Sequence, residues 1–97
     1  MFRHVVLLRW KPEATPDQRA AVKTGLETLP AAIPEIRGYT VGVDARVNEG
    51  NYDLVVVADF DTVDDYLVYR DDPDHQTVIR ERIAPILAER AAIQHEL

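Results

Sequence analysis

The stretch Phe2-Arg3-His4-Val5-Val6-Leu7-Leu8-Arg9-Trp10 alternates between two faces. Phe2, His4, Val6, Leu8 and Trp10 point one way; Arg3, Val5, Leu7 and Arg9 point the other. Period two, in β-branched and aromatic residue types, predicts a strand. A second stretch, Tyr52 to Phe60, alternates in the same manner. Tyr52, Leu54, Val56, Ala58 and Phe60 oppose Asp53, Val55, Val57 and Asp59. Paired antiparallel, the two stretches set Arg3 against Asp59 and Arg9 against Asp53, with apolar middles between. Opposite charges directly across a strand pair contribute roughly 0.2–1 kcal/mol, so this register is the one expected.

The remaining elements are placed around this pair. Thr15-Pro16-Asp17-Gln18 carries a helix start, with Thr15 as N-cap, Pro16 at the first helical position and Gln18 completing a capping box. Val22, Leu26, Leu29 and Ile33 follow on one helical face, and Pro30 and Pro34 are expected to end that helix. A strand from Tyr39 to Val47 and a turn at Asn48-Glu49-Gly50-Asn51 lead into the Tyr52 strand as a hairpin. Asp61 or Thr62 caps a further helix with Val63, Tyr66, Leu67 and Arg70 on its inner side. Asp72 and Pro73 start another, carrying Ile79, Ile83 and Ile86 until Pro85 weakens it. A short last strand, Ala91 to Glu96, closes the chain. The expected fold is α+β: a ferredoxin-like β-α-β-β-α-(α)-β protomer spanning residues 1–97 as one domain. Helices cover one face of its antiparallel four-stranded sheet, and the third strand lies between the first and second.

The uncovered face is not polar throughout. Val5, Leu7, Val55 and Val57 form an apolar patch with a charged rim. Two readings stand: the sheets of two copies pack face to face as a homodimer, or the long arginines cover the patch in a monomer. A chain of 97 residues buries only ~60–65% of its unfolded surface, which favours self-association.

Composition removes several classes of function. There is no Cys and no Ser, hence no disulfide, thiolate or serine nucleophile. Four scattered glycines make neither a P-loop nor a dinucleotide fingerprint. A net charge of −6 argues against a nucleic-acid partner. The longest apolar run, Leu54 to Ala58, is far too short to span a membrane, and no signal peptide is visible, so a cytoplasmic protein is expected. Chemistry falls to His, Tyr, Asp, Glu or Arg.

His4 is the polar member of an apolar strand face beneath the helices. It is either a core histidine bonded to a backbone carbonyl or a pocket histidine. His75 lies in the first turn of its helix, and Tyr69, at the end of the preceding one, reaches the same cleft across the turn. Tyr69 can equally be a core side chain with its hydroxyl at the rim. His95 receives no role. Asp71-Asp72-Pro73-Asp74-His75 resembles a metal site only superficially: capping explains Asp72, exposure explains the other acids, and no second histidine stands at ligand spacing. No metal or cofactor is expected.

The His4-Val5-Val6-Leu7-Leu8 strand, the Thr15-Pro16-Asp17-Gln18 helix start, Ile33-Pro34-Glu35-Ile36-Arg37-Gly38-Tyr39, Tyr52-Asp53 and the Tyr69-x-x-Asp72-Pro73-x-His75 segment occur in an order that resembles the stress-responsive dimeric α/β barrel (Dabb) family. The resemblance covers nearly the whole chain. It implies a homodimer whose two sheets form a barrel. One branch, that of plant olivetolic acid cyclase, closes a polyketide thioester by aldol condensation. By that resemblance His75 matches the general base, Tyr69 the thioester-holding tyrosine and His4 the first-strand histidine. The chain departs at Leu54, where that branch has a further pocket histidine on the third strand, and at Asp72, where it has the first His of a His-Pro-x-His segment. Two functions are therefore implied. One is a cofactor-independent cyclase or lyase acting on a small apolar carbonyl ligand with His75 as base, Tyr69 as donor and His4 orienting. The other is a non-catalytic stress-responsive dimeric binding module. Cofactor-independent monooxygenation, known in a related barrel family, is a third.

Overall fold

A computed structural model describes residues 1–97 throughout. Strand β1 (Phe2–Trp10) alternates strictly between buried and half-buried positions, as its sequence requires. Strands β2 (Gly38–Val43), β3 (Leu54–Phe60) and β4 (Leu87–Glu96) complete an antiparallel sheet in the order β2-β3-β1-β4. The two alternating stretches are thus the central strands. Their register sets Arg3 opposite Asp59, Val5 opposite Val57 and Leu7 opposite Val55.

The Arg3–Asp59 pair forms with two parallel hydrogen bonds, Nε to Oδ1 at 2.7 Å and Nη2 to Oδ2 at 2.9 Å. This fork geometry holds the Asp59 carboxyl below its ordinary range. The Arg9–Asp53 pair does not form. Asp53 accepts the Trp10 backbone N–H (2.7 Å) and pairs with Arg46 (2.7 Å). Arg9 instead lies over the Tyr52 ring, 4.3 Å from its centroid, and donates to the carbonyls of Gly50 and Asn51. Regular pairing frays at this end, where β1 meets β4 through a bulge at Arg9/Trp10.

Four expected boundaries change. β3 begins at Leu54 rather than Tyr52, because Asp53 at its start is drawn to the Trp10 N–H and Arg46. β2 stops at Val43, because the Asp44 carboxylate turns back to the Arg46 N–H (3.0 Å) and Arg46 adopts a left-handed φ of 59°. A wide loop replaces the tight hairpin. β4 begins at Leu87 rather than Ala91, since β1 offers it a partner along its whole length. Glu89 and Arg90 hid this strand because an edge strand beyond the helices need not alternate in polarity. Pro30 does not end the first helix. Helix α1 (Pro16–Glu27) closes at Thr28, and Pro30 sits in the first turn of the short α2 (Leu29–Ala32), where its missing N–H costs nothing.

The capping box of α1 is formed: Thr15 Oγ1 accepts from Gln18 N (3.1 Å) and Gln18 Oε1 from Thr15 N (2.9 Å). Thr62, not Asp61, caps α3 (Val63–Asp71). Tyr66 and Tyr69 form the inner line of α3, while Val63 is exposed, Leu67 is half-buried outside the core cluster and Arg70 is exposed at the inner rim. Asp72 caps α4 (Pro73–Val78) by accepting the N–H groups of Asp74 and His75. Beyond Val78 the helix widens to a π-type turn, Ile79–Ile83, and tightens to a 3-10 turn, Ala84–Ile86. Pro85 forces this, lacking the N–H that a regular turn would use. Helices and sheet enclose a core in which Phe60, Val22, Leu29 and Ile33 are inaccessible to solvent. No helix is long and apolar enough to cross a membrane.

Candidate functional site

A cavity of about 220 Å³ opens between the helix-facing side of β1 and β4 and the α3–α4 segment. Val6, Leu8, Val56, Ile79 and Ile83 make its apolar wall. His4, Tyr69 and His75 all line it, so the structure brings the three residues singled out from sequence to one place.

Their connection is through ring faces. His4 packs on Tyr66 (centroids 4.8 Å apart), Tyr66 on Tyr69 (6.4 Å), and Tyr69 stacks on His75 at 4.1 Å. No hydrogen bond joins His4, Tyr69 and His75 to one another. The Tyr69 hydroxyl lies 2.9 Å from that of Tyr39. Burial raises the pKa of both phenols, Tyr39 to about 12. Tyr69 is therefore a neutral hydroxyl engaged with Tyr39, its ring serving as cavity wall.

The imidazoles differ in what holds them. Gln94 Nε2 donates to His4 Nδ1 at 2.9 Å, which leaves the proton of neutral His4 on Nε2. His75 Nδ1 lies 3.1 Å from the Arg70 carbonyl. A carbonyl only accepts, so His75 carries its proton on Nδ1 and its Nε2 lone pair is uncommitted. His4 is thus a side-chain-bonded core histidine that also lines a pocket, and neither of the two readings of its sequence position was complete.

Both imidazoles are held neutral. Burial pushes the pKa of His4 down to about 4, helped by the positive charge of Arg90 and, once it is protonated, by that of His75. Burial also lowers that of His75, against the opposing pull of the Arg70 and Tyr69 carbonyls and the Asp72 charge. At neutral pH the cavity thus holds one imidazole with a free lone pair and one with an N–H to give. No three His, Asp or Glu side chains are grouped to hold a metal ion.

Arg90, Gln94 and Tyr66 complete the site and were not singled out from sequence. Gln94 lies opposite His4, and Arg90 opposite Leu8, across the β1–β4 pairing. Extending the strand pairing to β4 would have found them, had β4 been started early enough.

Fold and cavity together define a ferredoxin-like protomer with a small-molecule-sized cleft under its helices. The chain belongs to the Dabb family, the Stress responsive A/B Barrel Domain, whose profile matches residues 2–96. A dimeric ferredoxin-like protein of unknown function from Thermobifida fusca is 48% identical over 99% of this chain and 90% of its own, with a TM-score of 0.91. A dimeric protein of unknown function and ferredoxin-like fold from Bacteroides fragilis is 26% identical, covering 99% of this chain and 95% of its own (TM-score 0.85). The hydroxynitrile lyase of Passiflora edulis shares the fold at 18% identity, with 97% of this chain and 90% of its own covered (TM-score 0.83). No functionally curated protein matches the sequence.

Proposed function

We propose that this protein is a homodimer that binds a small apolar carbonyl compound and performs cofactor-independent acid–base chemistry on it, of the aldol cyclase or lyase type. One observation carries the reading: a cleft with an apolar wall holds two neutral imidazoles in opposite tautomers. His75 Nε2 takes the proton α to a carbonyl, leaving an enolate. The His4 Nε2–H and the Tyr69 hydroxyl, once released from Tyr39, are donors for the oxygen that becomes negative. The enolate carbon then attacks a second carbonyl of the same chain, and the proton held on His75 returns to the resulting alkoxide. Bonds and protons balance without an external reagent.

The homodimer rests on the outer sheet face. Val5, Leu7, Val55 and Val57 are half-buried by their own neighbours only, and Ile93 beside them is 65% exposed. Such a patch on a chain this small favours a partner sheet. The Thermobifida and Bacteroides relatives are themselves described as dimeric.

The second reading, a non-catalytic binding module, is favoured by the engagement of Tyr69 with Tyr39 and by the lack of hydrogen bonds among the three site residues. Exchange of α-protons in D2O separates the two. A poly-β-keto thioester is incubated with protein first shown by sedimentation to have twice the 11.0 kDa protomer mass. Wild type is expected to accelerate exchange and ring closure, and His75→Ala to lower both rates by about 10²–10⁴-fold as an intact dimer. Unchanged rates in the variant overturn the base assignment. Binding by wild type without exchange establishes the binding module.

A further inference from the structure

The chain has more acids than bases, 17 against 11. Its cavity reverses that balance. Arg70 and Arg90 line it and no Asp or Glu does. The two arginines are not equivalent. Arg70 is occupied: its Nε and Nη2 bond both carboxylate oxygens of Asp71, at 2.8 and 3.1 Å. The guanidinium of Arg90 has no ion pair and no hydrogen bond within the chain. Its neighbour Glu89 faces the other side of the sheet and pairs with Arg9 at 3.6 Å. Arg90 stands on the helix-facing row of β4 opposite Leu8, four residues from Gln94, which holds His4. At about 3.3 Å per residue, the backbone sites of Arg90 and Gln94 lie roughly 13 Å apart along the strand.

We propose that Arg90 receives the carboxylate of the cavity's ligand, so that the compounds taken are short apolar oxo-acids rather than uncharged carbonyl compounds. The inference rests on the proposed binding of a carbonyl compound between His4 and His75 and names its substrate class. A guanidinium offers two parallel N–H bonds matched to the two oxygens of a carboxylate. With the anion held at the Leu8 end, the carbonyl lies towards His4, a few carbon atoms away. The apolar wall of Val6, Val56 and Ile79 covers the carbons between. The volume sets the size: about 220 Å³ is below the ~300–1,000 Å³ of drug-sized pockets. The charge of Arg90 is also felt at the His4 imidazole, which agrees with the two groups facing one space.

The test uses 4-oxo-4-phenylbutanoate and its uncharged amide, titrated into the full-length protein and followed by calorimetry and by the NMR signals of His4 and His75. Wild type is expected to bind the acid at least tenfold more tightly than the amide, with both histidine signals moving. Arg90→Gln removes the preference by weakening the acid and leaving the amide unchanged, and Arg90→Lys restores part of it. Arg80→Gln makes the same change in net charge away from the cavity and keeps the preference. Equal binding of acid and amide to wild type overturns the assignment of Arg90 while the carbonyl pocket stands. So does an equal loss in Arg80→Gln, which would be an effect of net charge. If neither compound moves the histidine signals, the carbonyl pocket itself is wrong, and the assignment falls with it.

Discussion

The helix-facing side of the sheet is filled over the Ala58–Phe60 end of β3 and hollow towards β1 and β4. Over the end of β3, Ala58 and Phe60 are fully buried, with the rings of Phe60 and Tyr69 5.3 Å apart between centroids, and Leu29 and Ile33 are buried in the same core. Over β4 the inward row is Arg90, Ala92 and Gln94, one short side chain between two polar ones. No residue in that row can fill the space beneath the helices. The hollow is therefore written into β4 and not into the helices, which carry Ile79, Ile83 and Tyr66 as apolar cover at both ends. Close packing is concentrated at one end of the layer and open volume at the other.

Truncation at the filled end gives the largest expected effect. Phe60→Ala should cost about 3–5 kcal/mol, read by urea denaturation at fixed protomer concentration. A cost near that of an exposed site would show that the filled end is not where stability resides. Next in size is the pH response of the hollow end. His4 has a folded pKa of about 4, against about 6.5 unfolded. Below 6.5 the unfolded chain takes up a proton that the folded chain refuses. The stability from neutral His4 is fully present above pH 6.5 and is lost as pH falls towards 4, roughly 2 kcal/mol of it by pH 5. His4→Gln should remove that part of the loss between pH 7.5 and 5. An unaltered pH profile would place the loss in other groups. The smallest effect sharpens the contrast most. Leu29→Phe overpacks the filled end and should cost about 1–3 kcal/mol. Ile79→Phe enlarges a side chain facing the hollow and should change stability by less than about 0.5 kcal/mol, while abolishing binding of 4-oxo-4-phenylbutanoate. Similar costs at the two positions would erase the distinction.

The filled end was the legible one. Strict alternation in Phe2–Trp10 and Leu54–Phe60 contains the central pair, its register and the Arg3–Asp59 fork, because a half-buried strand exposes its period directly. The capping box at Thr15–Gln18 and the Asp72-Pro73 helix start were legible for a similar reason: their hydrogen bonds are local. The hollow end depends on an edge strand whose row of Arg90, Ala92 and Gln94 shows no apolar period. Its two histidines and Tyr69 could be named, whereas the groups that set their tautomers could not. Gln94 reaches His4 across 90 positions of sequence, and Arg70 holds His75 through a backbone carbonyl that no side-chain pattern reports.

β4 shows one face to the cavity and the other to the outer sheet surface, where Ala91 and Ile93 lie beside Leu7 and Val5. A strand's side chains exchange faces when its register slips by one residue. Deleting a single residue between Leu87 and Arg90 would turn Arg90 and Gln94 outward and Ile93 inward together, so that the proposed recognition and the proposed self-association would fail in one event. Among related chains, insertions and deletions should therefore collect in the Asp44–Asp53 loop and be purged from Leu87–Gln94. The length of that last strand is then inherited as strictly as any single side chain on it.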